Sequence, residues 1–354
     1  MSTPTHARGF ASDNYAGVHP TVLRALERVN GGHHTSYGHD TVTAALSDTI
    51  RREFGDRAEI FPVFNGTGAN VIALTAAMPR WGGVIATHSA HINTDEGGAP
   101  ERVSGLKILT TPAVGGKLTP EGLLSQAGGR GDEHHAQALA VSITQSSELG
   151  TVYTPEEIRA LAELAHARGM VLHVDGARGW YAAAALGVPF RELTTDAGVD
   201  LVSLGATKNG AMAAEAVVVI NPGAVDGMVY LRKLSMQLAS KMRFLSAQIQ
   251  TLFDDQLGLQ LAAHANAMAQ LLRNRLDAAV ERGEIRGLSF SHPTQANAVF
   301  AVLDNSAADR LRLHHQFYDW DRPAGEVRWM CAFDTTEADI EQFVVDIATA
   351  LRTQ

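Results

Sequence analysis

Apolar positions along this chain fall into two alternating spacings. Short apolar runs stand at 58–64, 83–87, 139–144, 171–175, 201–205 and 216–220. Runs of this length with no polar face predict strands buried on both sides. Between them, apolar residues recur at helical spacing, as at Val42, Ala45, Leu46, Ile50 and Phe54. Helices are likewise expected over 19–29, from the glycine turn at 65–68 to about Ala77, and over 155–168. Thr119-Pro-Glu and Thr154-Pro-Glu-Glu157 are helix starts, with threonine as cap and proline in the first turn. After Asn221-Pro-Gly223 the spacing turns long and helical, over 226–252 and 258–282. Strands at 296–303 and 327–333 follow, with a helix near 306–317 between them. Asp334-Thr-Thr-Glu337 opens a last helix to about Arg352.

Strands separated by helices predict an α/β fold with a mainly parallel, doubly wound sheet. The pattern divides the chain into an N-terminal arm (1–18, loose over 1–11), a large domain (19–225), a linking helical region (226–258) and a small C-terminal α+β domain (259–354).

Composition narrows the function classes. The 354 residues are 45% hydrophobic, enough for a large core and too apolar for disorder. The net charge of −9 argues against nonspecific nucleic-acid binding. A single cysteine, Cys331, rules out an internal disulfide and fits the reducing cytoplasm. No apolar run reaches the roughly 18 residues of a membrane span, and residues 1–8 carry no apolar secretory core. The 15 histidines, including the pairs His33-His34, His134-His135 and His314-His315, lack the spacing of a zinc site. No metal is expected.

The candidate chemistry gathers around residues 199–210. Of only five lysines (107, 117, 208, 233 and 241), Lys208 alone sits just past the end of a buried run. Ligands bind at that edge of open α/β sheets. A lysine desolvated there has a lowered pKa and a nucleophilic amine, whose natural product is a Schiff base. A second run, Val171-Leu-His-Val-Asp-Gly-Ala-Arg178, also ends in charge, at Asp175 and Arg178. Lysine and aspartate so placed are the pair a pyridoxal phosphate enzyme needs, one to carry the cofactor and one to keep its ring nitrogen protonated. The turn Asn65-Gly-Thr-Gly-Ala-Asn70, between a strand and a helix N-terminus, is an anion site.

His-Val-Asp-Gly-Ala-Arg followed by Thr-Lys-Asn-Gly resembles the L-threonine aldolases, a branch of the fold-type-I pyridoxal phosphate enzymes. The resemblance runs from about Ser12 to the last helix. It implies pyridoxal 5′-phosphate held by Lys208, Asp175 and a phosphate cradle at Gly66 and Thr67. It implies His91 stacked on the ring, since Glu96 and the following glycines then fall in register. Arg178 would meet the ring's phenolic oxygen or the substrate carboxylate, and Ser12 and Arg328 would bind that carboxylate. His135 falls where the family often has a second active-site histidine; His91, His135 or an ordered water can be the base. Gln145-Ser146 departs from the Glu-Asn that many aldolases carry.

The implied reaction is cleavage of L-threonine, L-allo-threonine or a related β-hydroxy-α-amino acid to glycine and an aldehyde. β-Elimination, amino transfer and cofactor binding without turnover are the alternatives. Fold-type-I enzymes share sites across dimers or dimers of dimers. The run Leu238–Ser246, with Lys241 and Arg243 among small and apolar residues, is therefore expected to send Arg243 to a neighbouring chain's phosphate or substrate.

Overall fold

The computed structural model describes residues 8–352. Seven strands form the central sheet: β1 (Glu59–Val63), β2 (Gly82–Thr87), β3 (Lys107–Thr111), β4 (Gln137–Thr144), β5 (Val171–Gly176), β6 (Leu201–Gly205) and β7 (Glu215–Val219). Their order is β1-β7-β6-β5-β4-β2-β3. All are parallel except β7, which runs antiparallel to both neighbours, β1 and β6. The reason is chain length. Residues 206–214 between β6 and β7 are too few for a crossover helix, so the chain folds straight back.

Every residue of β2, β6 and β7 is buried, which explains their unbroken apolar runs. On one face, Ile72 and Ala73 of the helix Gly66–Ala77 pack on Leu201 and Val217. On the other, Ile158, Leu161, Trp180 and Tyr181 pack against Val202 and Leu204. Edge strand β3 escaped the sequence pattern because Lys107 and the threonines interrupt its apolar run. The helix Gly179–Leu186 also escaped it; as a nearly all-apolar alanine run it has no polar face to reveal its period.

A second sheet, in the order β10-β11-β9-β8, is built from β8 (Ser289–Phe290), β9 (Ala298–Val302), β10 (Tyr318–Asp321) and β11 (Glu326–Met330), all antiparallel. It shares a core with the helices Leu257–Glu281 and Glu337–Arg352. The first of these helices touches both sheets' territories. Asn266 bonds the Tyr181 carbonyl, and Arg275 pairs with Glu341.

Two expectations need correction. The stretch 226–252 is two helices, Met228–Leu234 and Met242–Phe253. The chain between them turns through Met236 at φ +60°, and the next residue, Gln237, accepts the Phe64 amide at 2.9 Å. Tertiary contact overrides helical spacing there. The arm expected to be loose over 1–11 is tied down by Phe10, which is buried and stacked on Phe343 at 4.1 Å. The Phe10 amide bonds Gln316, and its carbonyl accepts from Met330. The part of that arm over 1–7 lies outside the described residues.

The ends of β5 and β6 approach each other with no room for a side chain. A Cβ on Gly205 would stand 2.5 Å from the Ala177 carbonyl oxygen, and one on Gly176 would stand 2.9 Å from that of Ser203. Gly205→Ala must therefore push backbone apart directly before Lys208. It is expected to lower unfolding free energy by roughly 1–3 kcal/mol. An unchanged urea midpoint with unchanged slope would show that the strand ends move freely.

Candidate functional site

A cleft of about 290 Å³ opens at the carboxyl ends of the parallel strands, the edge where open α/β sheets bind ligands. Each wall follows one strand. The turn after β1 contributes Gly66 and Thr67, the segment after β2 His91, and the one after β4 Ser146 and Glu148. Strand β5 contributes Asp175 and, just beyond it, Arg178; the turn after β6 contributes Lys208. Asn14 reaches it from the N-terminal segment.

Lys208 lies in the 3-10 turn Thr207–Asn209. Bonds from distant segments hold that turn: the Tyr181 hydroxyl donates to the Lys208 carbonyl, Asn209 to the Gly258 carbonyl, and the Thr207 amide to Glu215. Glu215 is buried, which raises its carboxyl above the ordinary value, while the Lys208 charge pulls it down.

Asp175 accepts from the Ala177 amide on Oδ1 and from Asn70 Nδ2, at 2.9 Å, on Oδ2. Asn70 also donates to Glu96 Oε1 at 2.8 Å, and His91 Nδ1 lies 2.9 Å from the same oxygen. That bond raises the imidazole's pKa; burial opposes the shift and Asp175 adds to it. His91, Glu96 and Asp175 bring their ligand atoms within 4.8 Å of one another, a spacing open to a metal as well. The hydrogen bonds through Asn70 account for it without one. Behind Asp175, His173 spans Ser142 on β4 and Ser203 on β6, at 2.9 Å each. Its burial pushes the imidazole down to about 4, so it stays neutral.

Asn65 caps the helix Gly66–Ala77 through its side chain, which takes the Gly68 amide at 2.7 Å. Gly66 and Thr67 line the cleft, and among the described residues their amides have no acceptor, which leaves them open to an anion. A Cβ on Gly66 would meet nothing within 4 Å.

Arg178 forms a two-pronged ion pair with Asp13, Nε to Oδ2 at 2.8 Å and Nη2 to Oδ1 at 2.9 Å. Burial alone would raise the Asp13 carboxyl, yet the guanidinium holds it below its ordinary value. Asn297 adds a third bond to Asp13. Close by, Arg328 on β11 lies 5.3 Å from the Trp320 ring. Its Nε is buried with no hydrogen-bond partner among the described residues. Burial, and then the Arg178 charge, push the Arg328 guanidinium down to about 10. A desolvated cation with an open donor is ready for a carboxylate. Ser12 accepts the Asn14 amide at 3.1 Å, capping the turn Asp13–Tyr15, and its own O–H has no acceptor among the described residues.

Four expected residues do not line this cleft: Ser12 lines a separate cavity with Tyr15 and Gln316, and Arg328 stands outside the lining, near Arg178. The other two are His135 and Arg243. His135 precedes β4, at the opposite edge of the sheet, exposed and 3.0 Å from Asp132. The eight residues of β4 separate it from the cleft by roughly 25 Å, so it is corrected out of this site. Arg243 donates to the Val29 carbonyl at 2.9 Å and stacks on Phe244. Within its own chain it does not line the cleft.

Asn70, Glu148 and Glu215 were missed as site residues. Glu148 follows a buried strand end, the same signal that singles out Asp175 and Lys208. Its Oε1 accepts the His91 amide at 3.0 Å.

A family model described as β-eliminating lyase matches residues 9–306. The chain is 41% identical to a low specificity L-threonine aldolase of a Pseudomonas species and 39% identical to that of Pseudomonas aeruginosa, each over 97% of both chains. Its backbone superimposes on a threonine aldolase structure from Leishmania major with a TM-score of 0.89 at 28% identity, covering 97% and 99% of the two chains. An aspartate aminotransferase from Thermus thermophilus shares the fold at a TM-score of 0.69 and 18% identity.

The Asp13–Arg178 pair should be measurable in stability. Asp13→Ala leaves a buried guanidinium unpaired and is expected to cost about 3 kcal/mol. Because the pair holds the Asp13 carboxyl below its ordinary 3.8, its contribution is present above that pH. It is lost as pH falls through the lowered value. The gap between wild type and variant in urea unfolding should therefore shrink under acid; a gap independent of pH would deny the pair that role.

Proposed function

Because the chain belongs to the β-eliminating lyase family and matches low-specificity L-threonine aldolases over nearly its whole length, we propose that it is a pyridoxal 5′-phosphate-dependent aldolase. It cleaves L-threonine, L-allo-threonine or a related β-hydroxy-α-amino acid to glycine and an aldehyde. The observation that carries this reading is the convergence of Lys208, Asp175 and His91 on one cleft at the strands' carboxyl ends.

The cleft's chemistry fits that cofactor. Three buried polar atoms around it, Asn70 Oδ1, Glu96 Oε2 and Ser146 Oγ, have no protein partner among the described residues. Lys208 Nζ would hold the cofactor covalently. Asp175, steadied by Asn70 and the Ala177 amide, would keep a proton on the ring nitrogen. The Gly66 and Thr67 amides would take the phosphate, and His91 would offer a flat face to the ring. Bound there, the cofactor supplies a ring that accepts the electron pair freed when the Cα–Cβ bond breaks. Arg328 and Ser12 orient the substrate carboxylate. Arg178, whose Nε and Nη2 are taken by Asp13, has Nη1 left for the carboxylate or the ring's phenolic oxygen.

A homo-oligomer, dimer or dimer of dimers, completes this reading. Tyr230, Leu234 and Met236 are 78%, 76% and 83% exposed, and the next residue, Gln237, bonds the Phe64 amide at the cleft's lip. A second copy covering that apolar run would let its Arg243 approach this cleft. One cysteine, buried and unpaired, suits the cytoplasm as its compartment.

Purified protein given L-threonine is expected to release glycine and acetaldehyde and to be labelled covalently on borohydride reduction. Lys208→Ala should abolish both, and Arg328→Lys should raise KM for threonine while cofactor binding holds, since lysine lacks the bidentate fork. Pyruvate or amino transfer as the main outcome, or labelling of Lys208→Ala, would overturn the reading. Mixing Lys208→Ala with Arg243→Ala subunits tests the shared cleft. After full exchange half the dimers are mixed, each with one intact site of two, so about a quarter of wild-type activity should return. No recovery despite verified exchange would remove Arg243 from the neighbour's site.

A further inference from the structure

An aldol cleavage needs a group that takes the β-hydroxyl proton and later gives one up. The resemblance leaves that group open, and the structure removes His135 from the choice. His91 is the remaining histidine of the cleft. Its Nδ1 is tied to Glu96, a bond that favours the protonated ring and withholds that nitrogen from the substrate. Lys208 is committed to the cofactor, Asp175 to Asn70 and a backbone amide, Glu96 to Asn70 and the His91 ring, and Glu215 to the Ala206 and Thr207 amides.

We propose that Glu148 is the catalytic base and acid of the cleavage, its Oε2 facing the substrate's β-hydroxyl; this rests on the aldolase reading above. Three geometric facts carry it. Glu148 lines the same cleft as Lys208 and Asp175, at the strand edge where the reacting carbons must sit. Its Oε1 is anchored by the His91 amide at 3.0 Å, which fixes the carboxyl's position. Its Oε2 is buried and without a protein partner among the described residues, so it is open to a substrate hydroxyl.

The electrostatics agree. Burial pushes the Glu148 carboxyl up to about 7, with the nearby Asp175 charge adding to the rise and the neighbouring Thr144 hydroxyl and the backbone amides of Glu148 and His91 opposing it. An acid poised there can both take and give a proton at neutral pH. The other ionisable and charged groups of the cleft are His91, Glu96, Glu215, Lys208 and Arg178, with Tyr153 behind it. Tyr153 stays neutral, its hydroxyl pushed far up by burial.

The step balances without any co-reactant. Oε2 takes the β-hydroxyl proton, and the O–H bonding pair becomes the second C–O bond of the departing aldehyde. The Cα–Cβ bond breaks with its pair left at Cα. Once the aldehyde has gone, Glu148 returns the proton to Cα on the face the aldehyde vacated, completing glycine and restoring the carboxylate.

Glu148→Gln is a clean test, because the amide oxygen can still accept the His91 amide while the ionisable group is gone. The variant is expected to bind cofactor with unchanged absorbance and affinity but to lose on the order of 10²–10⁴-fold in kcat for threonine. An infrared carboxyl band that titrates near pH 7 in the wild type should be missing in it, a readout that needs no turnover. Glu148→Asp should recover part of the lost rate. The inference is overturned if Glu148→Gln keeps near-native kcat, if its loss is explained by lost cofactor, or if the titrating band persists. Failure of the wild type itself to cleave threonine would instead overturn the aldolase reading.

Discussion

The buried pair between Asp13 and Arg178 is where three parts of this chain meet. Asp13 comes from the N-terminal segment, Arg178 from the turn after β5, and Asn297, from the small domain, bonds the same carboxylate. Arg178 also touches Met330 on β11. Without that carboxylate the guanidinium would be buried near Arg328, and two desolvated cations would repel each other. With it, one arginine is neutralised and the other is left open. The arrangement gives the two arginines different tasks, set by their neighbours alone.

The same division runs through the acids of the cleft. Asp175 and Glu96 share Asn70 as donor, which steadies two carboxylates side by side. Glu215 is held by backbone amides beneath Lys208. Glu96 and Glu148 each combine one anchored oxygen with one buried and open, Glu96 anchored by Asn70 and the His91 ring and Glu148 by the His91 backbone amide. Burial raises carboxyls and lowers imidazoles; here it makes Glu148 a proton carrier and keeps His173 a neutral spacer between strands.

These side chains meet because β5 and β6 end almost in contact. Glycine at 176 and 205 lets backbone lie against backbone, so Asp175 and the turn bearing Lys208 open into one small cleft. The antiparallel β7 then returns at once and delivers Glu215 to the same edge. A longer connection would have carried that carboxylate elsewhere.

Local chemistry was legible in the sequence wherever it followed from position on a strand. Buried runs ending in charge mark Asp175 and Lys208, and a glycine turn before a helix marks Gly66 and Thr67, because strand ends and helix N-termini have fixed chemical consequences. The alternation of runs also conveyed the α/β class and a mainly parallel sheet. Partnerships between distant segments were not legible. No local pattern tells that Asp13 will pair with Arg178 165 positions away, that Asn70 will bridge Asp175 and Glu96, or that Phe10 will dock on Phe343. Nor does spacing tell that the stretch 226–252 will break so that Gln237 can reach Phe64. His135 shows the limit most sharply. It precedes β4 and Ser146 of the cleft follows it, and a strand carries its two ends to opposite edges of the sheet. Which residues share a cleft is decided by which strand ends lie side by side, and only the tertiary fold determines that.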